Sequence, residues 1–294
     1  MPLNSVNTNI GAQVALQSLN RTNDEMAVTQ KRISTGLRVA DAKDDGAAFA
    51  VAQKVRANVA GLTSANEQLG SAKGVVDTTL SSLNAISSKM GDIQKTLVKL
   101  ADAKVTGDER TSYEDQFKKQ VAEVDRFILD STYNGYSLLN TAAQTAQKGN
   151  ITTVRNESGG TFTISQVATA DDLTFSTAAD PATAATPPTQ AQAQAMLDGS
   201  STGAGAPKNF KDVMAKIGAA LNQLGNDSNA VDSQITYNKS KMDALESGLG
   251  ALVDADLAKE SARLQALQIK QQLGTQSLSI ANQAPQSLLS LFRG

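Results

Sequence analysis

Two segments at opposite ends of the chain, residues 5–37 and 249–284, both read as long amphipathic helices, and everything else is inserted between them. A 4-3 spacing through the first picks out Ala12, Leu16, Leu19, Asn23, Met26, Gln30, Ile33 and Leu37. Through the last it picks out Val253, Leu257, Glu260, Leu264, Leu267, Gln271, Gly274, Leu278 and Ala281. Both seams are apolar with polar interruptions. A polar side chain in a seam costs stability but penalises shifted registers, so Asn23, Gln30 and Gln271 either set the alignment where the two ends pair or face solvent.

The C-terminal helix carries a second apolar stripe, through Ala262, Ala266, Ile269, Leu273, Ile280 and Ala284. One partner helix cannot cover both stripes. Packing among copies of the chain would bury the second one, at roughly 25 cal/mol per Å² of apolar area, although two-stripe helices also occur inside ordinary bundles.

Composition narrows the function classes. Aromatic residues make up 4% of the chain and tryptophan is absent, so the apolar content is Ala, Leu, Val and Ile on helical spacing, which suits thin, elongated bundles. A net charge of −2 from 27 basic and 29 acidic residues leaves no electrostatic footprint for nucleic acid or an anionic membrane. With no histidine and no cysteine, the chain can form neither a Ser-His-Asp nor a Cys-His pair, nor a His/Cys zinc site, nor a disulfide. No catalytic, cofactor or metal residues are therefore assigned. Carboxylate chemistry stays open, but Asp44-Asp45, followed by Gly46 and a helical run, reads as a turn and N-cap. The N-terminus shows no basic n-region or apolar h-region, and no run of 18 apolar residues is present. The expected location is the cytoplasm, or outside the cell by a route that reads no such signal.

Along the chain, a run from Val51 to Leu100 in steps of three or four predicts one helix of roughly 80 Å at 1.5 Å per residue. Gly61, Gly70, Gly74 and Gly91 weaken it locally. A turn at Thr106-Gly107-Asp108 returns the chain through Tyr113, Phe117, Val121, Val124 and Ile128 to a turn at Asn134-Gly135. Residues 151–154, 161–166 and 173–176 read as a β-hairpin and an accompanying strand, and 177–207 as an exposed, weakly structured excursion. Helix resumes from Phe210 to Leu252, with a possible bend at Gly225-Asn226-Asp227, and Pro285 is expected to stop the last helix. The predicted fold is mainly α, a nested long-helix coiled coil and bundle with a small β-hairpin insertion capping the far end. Its divisions are 1–42 with 253–294, 43–140 with 208–252, and 141–207.

Three stretches resemble bacterial flagellin. They are Ile33-Ser34-Thr35-Gly36-Leu37-Arg38-Val39 with Ala42-Lys43-Asp44-Asp45-Gly46-Ala47-Ala48, Asn134-Gly135-Tyr136-Ser137-Leu138-Leu139, and Gln271-Gln272-Leu273-Gly274 through Ala281-Asn282-Gln283-Ala284-Pro285-Gln286 to Arg293. The resemblance covers nearly all of residues 1–140 and 208–294. It implies a structural subunit, not an enzyme, that polymerises into the extracellular flagellar filament for swimming. It also implies terminal helices (D0) lining a central channel, an inner bundle (D1), and export through the flagellar type III apparatus. The implied partners are further copies of the chain, an export chaperone, the filament cap and the hook–filament junction proteins. The candidate assembly interface it implies is Leu16, Leu19, Asn23, Met26, Gln30, Ile33 and Leu37 with Leu257, Leu264, Leu267, Gln271, Leu273, Leu278 and Ile280.

Two departures stand out: Gly294 follows Arg293, and Asp92 and Thr96 occupy positions where host-sensed flagellins carry Arg and Leu, which implies weak innate-receptor recognition. The middle, 141–207, is short for the family, and its Ser and Thr residues are either glycan sites or plain solvated loop. A hook–filament junction protein with flagellin-like termini is the alternative. A metallopeptidase insertion is excluded, because its histidine zinc motif cannot exist here.

Overall fold

The computed structural model describes residues 9–140, 147–175, 186–201 and 208–291. Residues 5–8 of the first predicted helix, the candidate glycan-bearing hydroxyls within 141–146, 176–185 and 202–207, and Arg293-Gly294 lie outside them. The described chain is mainly α: α1 (Ile10–Thr35), α2 (Gly46–Leu100), α3 (Gly107–Asp130), α4 (Ala170–Leu173), α5 (Gln190–Asp198), α6 (Phe210–Val253) and α7 (Leu257–Leu291). The strands are short: β1 (Tyr136–Ser137), β2 (Leu139–Asn140), β3 (Gln147–Lys148), β4 (Ile151–Val154), β5 (Thr161–Ile164) and β6 (Ala168–Thr169). The chain divides into two compact units, one drawn from Met1–Asn58 and Asp243–Gly294, the other Val59–Met242, with the divisions falling inside α2 and α6.

In the second unit, the three-four periodicity of α2, α3 and α6 converges on one aliphatic core. It includes Leu69, Leu83, Ile86, Met90, Ile93 and Leu97 of α2, Val121, Val124 and Ile128 of α3, and Val213, Ile217, Leu224 and Val231 of α6. The predicted long helix is unbroken over its 55 residues. Gly74 has a packing reason: a Cβ there would lie 2.7 Å from Cζ of Tyr133. The Asn-Gly turn forms as expected. Asn134 and Gly135 hold φ 48° and 81°, the left-handed pair a tight turn demands, and Tyr133 and Tyr136 exchange both backbone hydrogen bonds.

Three expectations for this unit need correction. β4 and β5 form the predicted antiparallel hairpin, with Ile151 opposite Ile164 and Val154 opposite Thr161, but no accompanying strand forms at 173–175. Leu173, Thr174 and Phe175 are buried instead, and the Phe175 ring fills space between Phe117 and Phe210, at centroid distances of 6.3 and 6.2 Å. An apolar plug replaces a strand edge. The expected excursion contains α5, whose Thr189 accepts from the Gln192 N–H while the Gln192 side chain accepts from the Thr189 N–H, a complete capping box, with Ala193 and Met196 buried. Nor does the hairpin cap the far end of the bundle. Its loop packs Glu157 against Gly61, pairs Glu157 with Lys241, and gives the Arg155 carbonyl to the buried Asn238 amide. The α2–α3 turn is held instead by Arg110, which donates to the Leu100 and Pro188 carbonyls, and by Gln194, which donates to Ala101.

In the first unit, Asp45 accepts from the Ala47 and Ala48 N–H groups at 3.1 and 3.0 Å, so it caps α2 as predicted. Asp44 does different work, accepting from the Ala40 and Asp41 N–H groups and from Lys31. The single C-terminal helix expected over 249–284 is broken at 254–256, where Asp256 accepts from the Ala258 and Lys259 N–H groups and starts α7 afresh. Pro285 does not stop α7, which continues to Leu291.

Candidate assembly surface of the terminal helices

α1 and α7 pack along each other, and the seam can be read from burial. On α7 it runs through Glu260, Leu264, Leu267, Gln271, Gly274, Leu278 and Ala281, the predicted positions, while Leu257 is exposed and Val253 ends α6 in a separate small core. On α1 the covered residues include Ala12, Ala15, Leu19, Thr22, Met26, Thr29 and Ile33. Ala12, Leu19, Met26 and Ile33 are shared with the 4-3 reading. Leu16, 48% exposed, and Gln30 lie outside the seam, because Ala15 and Thr29 hold those places. Small side chains there let the helices approach closely, as at Gly274, where an added Cβ would stand 3.3 Å from Leu19 Cδ1. Leu37 lies beyond α1, which closes at Gly36 in the left-handed region (φ 71°), and packs with Val39, Ala48, Ala52 and Val253.

The polar seam residues find one another. The Gln271 amide donates to Asn23 Oδ1 at 2.9 Å, so these two are a matched pair inside the seam, whereas Gln30 faces solvent. Arg32 Nη1 donates to Glu260 Oε1 at 3.2 Å beside the buried Thr29. Asn9 caps α1 by accepting from the Ala12 N–H and donates from Nδ2 to the Ala281 carbonyl at 2.7 Å. Glu260 was visible as a polar seam position. The contacts of Arg32 and Asn9 with α7 were not, since each joins a partner more than two hundred residues away.

The base of the pair is tied by backbone. The Arg38 and Val39 N–H groups both reach the Val253 carbonyl, at 2.7 and 3.3 Å, and the Ala255 N–H reaches the Gly36 carbonyl at 2.9 Å. Lys31 bridges Asp41 and Asp44 at 2.7 and 2.9 Å. Those hydrogen bonds hold both carboxyls below the usual carboxylate range and raise the Lys31 ammonium.

The second stripe is open. Leu273 and Ile280 are 61% and 63% exposed and Ile269 is exposed with them, as are Ile10, Val14, Leu16 and Val28 on α1. Isolated exposed apolar residues are ordinary, but Ile269, Leu273 and Ile280 fall at helical spacing along one face of α7. Among the described residues no cluster of acidic side chains has the grouping of a metal site, and no helix is long and apolar enough to cross a membrane.

Residues 6–145 match the model of the bacterial flagellin N-terminal helical region, and residues 208–292 that of the bacterial flagellin C-terminal helical region. Flagellin FljK of Caulobacter vibrioides is 34% identical over 294 residues, with all of both chains covered. A flagellin of Brucella melitensis is 34% identical over 291 residues, covering 99% of each. Among solved structures, a putative flagellar hook-associated protein from Vibrio parahaemolyticus aligns with 72% of this chain and 100% of its own, at a TM-score of 0.56 and 14% identity, a likeness of fold alone. Matched at both ends by the family's helical regions and along its whole length by named flagellins, the chain belongs to the bacterial flagellin family, a structural subunit of the flagellar filament.

Proposed function

We propose that the exposed stripes of α1 and α7 are the surface through which copies of this chain pack into the filament, with the terminal pair, 1–42 and 253–294, lining its central channel. The carrying observation is the row Ile269, Leu273 and Ile280, left open by a partner helix already occupied with the other face of α7. Burying it between copies at about 25 cal/mol per Å² supplies a polymerisation drive that the single chain lacks. Of the interface residues named from sequence, Leu19, Asn23, Met26, Ile33, Leu264, Leu267, Gln271 and Leu278 act within the subunit, and Leu16, Leu273 and Ile280 between subunits. A chain without cysteine and with little aromatic core suits export in unfolded form through the flagellar type III route, with an export chaperone, the filament cap and the hook–filament junction proteins as partners.

Recognition by the host innate receptor is expected to be weak. Asp92 pairs with Lys95, and Thr96 is buried, its hydroxyl against Gln120. A strong response to purified monomer in a receptor reporter assay would contradict this.

The test of assembly is seeded polymerisation followed by negative-stain microscopy. The intact chain should grow long filaments, and Leu273→Glu with Ile280→Glu should stay monomeric with unchanged helical signal. Removing residues 1–20 or 275–294 should also abolish growth; normal filaments from these variants would overturn the assignment. Growth of short caps only, from the intact chain, would favour the junction-protein reading instead.

A further inference from the structure

We propose that three polar rungs, Asn9–Ala281, Asn23–Gln271 and Arg32–Glu260, select the one register in which α1 and α7 pair. The seam needs such a device. Its apolar members on both helices recur about every seven residues, so sliding α7 by one heptad would still set apolar side chains on apolar side chains. The partners are also 228 to 272 residues apart in the chain, so nothing local brings them into step.

Each rung penalises the slide differently. Asn23 would move from Gln271 to Leu264 or Leu278, and its half-buried amide would lose its partner. Arg32 would move from Glu260 to Leu267 in one direction and past the start of α7 in the other, losing its carboxylate either way. Glu260 would move beside Glu25 in one direction, setting two carboxylates together at the helix interface.

The third rung is set by proline. Residue 285 has no N–H, so the Ala281 carbonyl four residues earlier lacks its helical donor, and Asn9 Nδ2 supplies one at 2.7 Å. A slide in one direction would bring Asn9 to Gly274, inside an intact helical turn whose carbonyl needs no second donor. Proline thus marks one carbonyl on α7 as different from its neighbours.

The rungs fix register but not chain identity, which falls to the backbone ties of Gly36, Arg38 and Val39 with Val253 and Ala255. Together they let ends that emerge far apart in time close on each other in a single way. This register belongs to the single chain, so its test is separate from whether the outer stripe meets another copy.

The absence of cysteine makes that test clean. In the full-length chain, Leu19→Cys with Gly274→Cys reports the observed register, since Leu19 Cβ lies 3.8 Å from where a Cβ on residue 274 would stand, within the reach of a disulfide. Leu19→Cys with Leu267→Cys, or with Ala281→Cys, reports the two slid registers. Each pair is placed in the natural background and in one carrying N23L, R32L, E260L and Q271L, oxidised, and read by peptide mass, with cross-linked dimers set aside on non-reducing gels. The natural background should cross-link only through 19 and 274, and the altered one should show at least a tenfold rise in slid pairs. Slid pairs forming equally well in the natural background would overturn the proposal. So would a single register surviving the four substitutions. If the fourfold variant yields no cross-link at all, N23L with Q271L alone decides: a several-fold rise in slid pairs is expected, and none would overturn the proposal.

Discussion

Asn9 and Ala281 meet at the open end of the terminal pair, where one amide side chain serves two helices at once. Its oxygen accepts from the Ala12 N–H and begins α1, and its nitrogen donates to the carbonyl that Pro285 leaves unserved in α7. A proline inside a helix costs about 3 kcal/mol through the missing bond and the ring's clash with the preceding turn. Supplying a donor from outside offsets the first part, which is why α7 runs on to Leu291.

Asn9→Ala is accordingly expected to cost about 1–2 kcal/mol, the combined scale of a lost N-cap and a lost hydrogen bond. Asn9→Asp should keep the cap and lose only the donor. In a Pro285→Ala background, where Ala281 regains its helical donor, Asn9→Asp should cost measurably less. Hydrogen exchange of amides in 275–291 reads this directly, and equal protection loss in both backgrounds would refute the coupling.

The glycines of α2 separate into two kinds, and substitution tells them apart. Gly74→Ala places a methyl 2.7 Å from the Tyr133 ring and is expected to destabilise by about 1–3 kcal/mol, lowering the melting temperature of the inner bundle. Gly70→Ala meets nothing within 4 Å and is expected to stabilise by up to about 1 kcal/mol through helix propensity. Thermal melts of the two variants should therefore shift in opposite directions.

What the sequence made legible follows from which signals are local. The α7 seam was readable because Leu264, Leu267, Leu278 and the small Gly274 and Ala281 fall on one stripe. On α1 the 4-3 rhythm favoured Leu16 over Ala15 and Gln30 over Thr29, since hydrophobicity ranks Leu above Ala while close helix approach selects the smaller side chain. Helix α5 carried a readable capping box, yet only Ala193 and Met196 point inward, too little periodicity to stand out in an Ala- and Thr-rich stretch. Phe175 read as part of a strand because short apolar runs look alike whether they pair or plug a core. The polar rungs were half visible: Asn23, Gln271 and Glu260 stood in the seams, but their pairing is a fact of register that no local window contains.

Acid should loosen the turn between α1 and α2. Lys31 holds the Asp41 and Asp44 carboxyls below their ordinary value, so the stability they contribute is present above the unfolded carboxylate pKa and is lost as pH falls through the folded ones. The window therefore lies below about pH 4. Lys31, raised by the same contacts, contributes below its unfolded value near 10.5 while the two carboxylates stay charged, and loses its contribution at the alkaline end as pH rises through the folded value. The protection of the Ala40 and Asp41 amides, whose N–H groups donate to Asp44, measured against the intrinsic exchange rate at each pH, should fall in acid. Lys31→Met should raise the pH at which this happens, and an unchanged midpoint would rule the bridge out as its cause.

The Arg32–Glu260 pair should behave as a specificity device more than a source of stability. Its side chains are 25% and 11% exposed, and Arg32 Nε and Glu260 Oε2 are buried without hydrogen-bond partners among the described residues. The desolvation of both groups is therefore only partly returned by the one contact at 3.2 Å. Glu260→Leu alone strands the guanidinium and is expected to destabilise the terminal pair by about 1–3 kcal/mol, reduced from a fully buried case by the solvent that still reaches Arg32. Arg32→Leu with Glu260→Leu removes both charges, extends the apolar seam, and should return stability to within about 1 kcal/mol of the natural chain. A double-mutant cycle on filament dissociation temperature measures this. If the double variant is as unstable as the sum of the two single ones, the two side chains are uncoupled, no stranded charge has been relieved, and the desolvation argument fails.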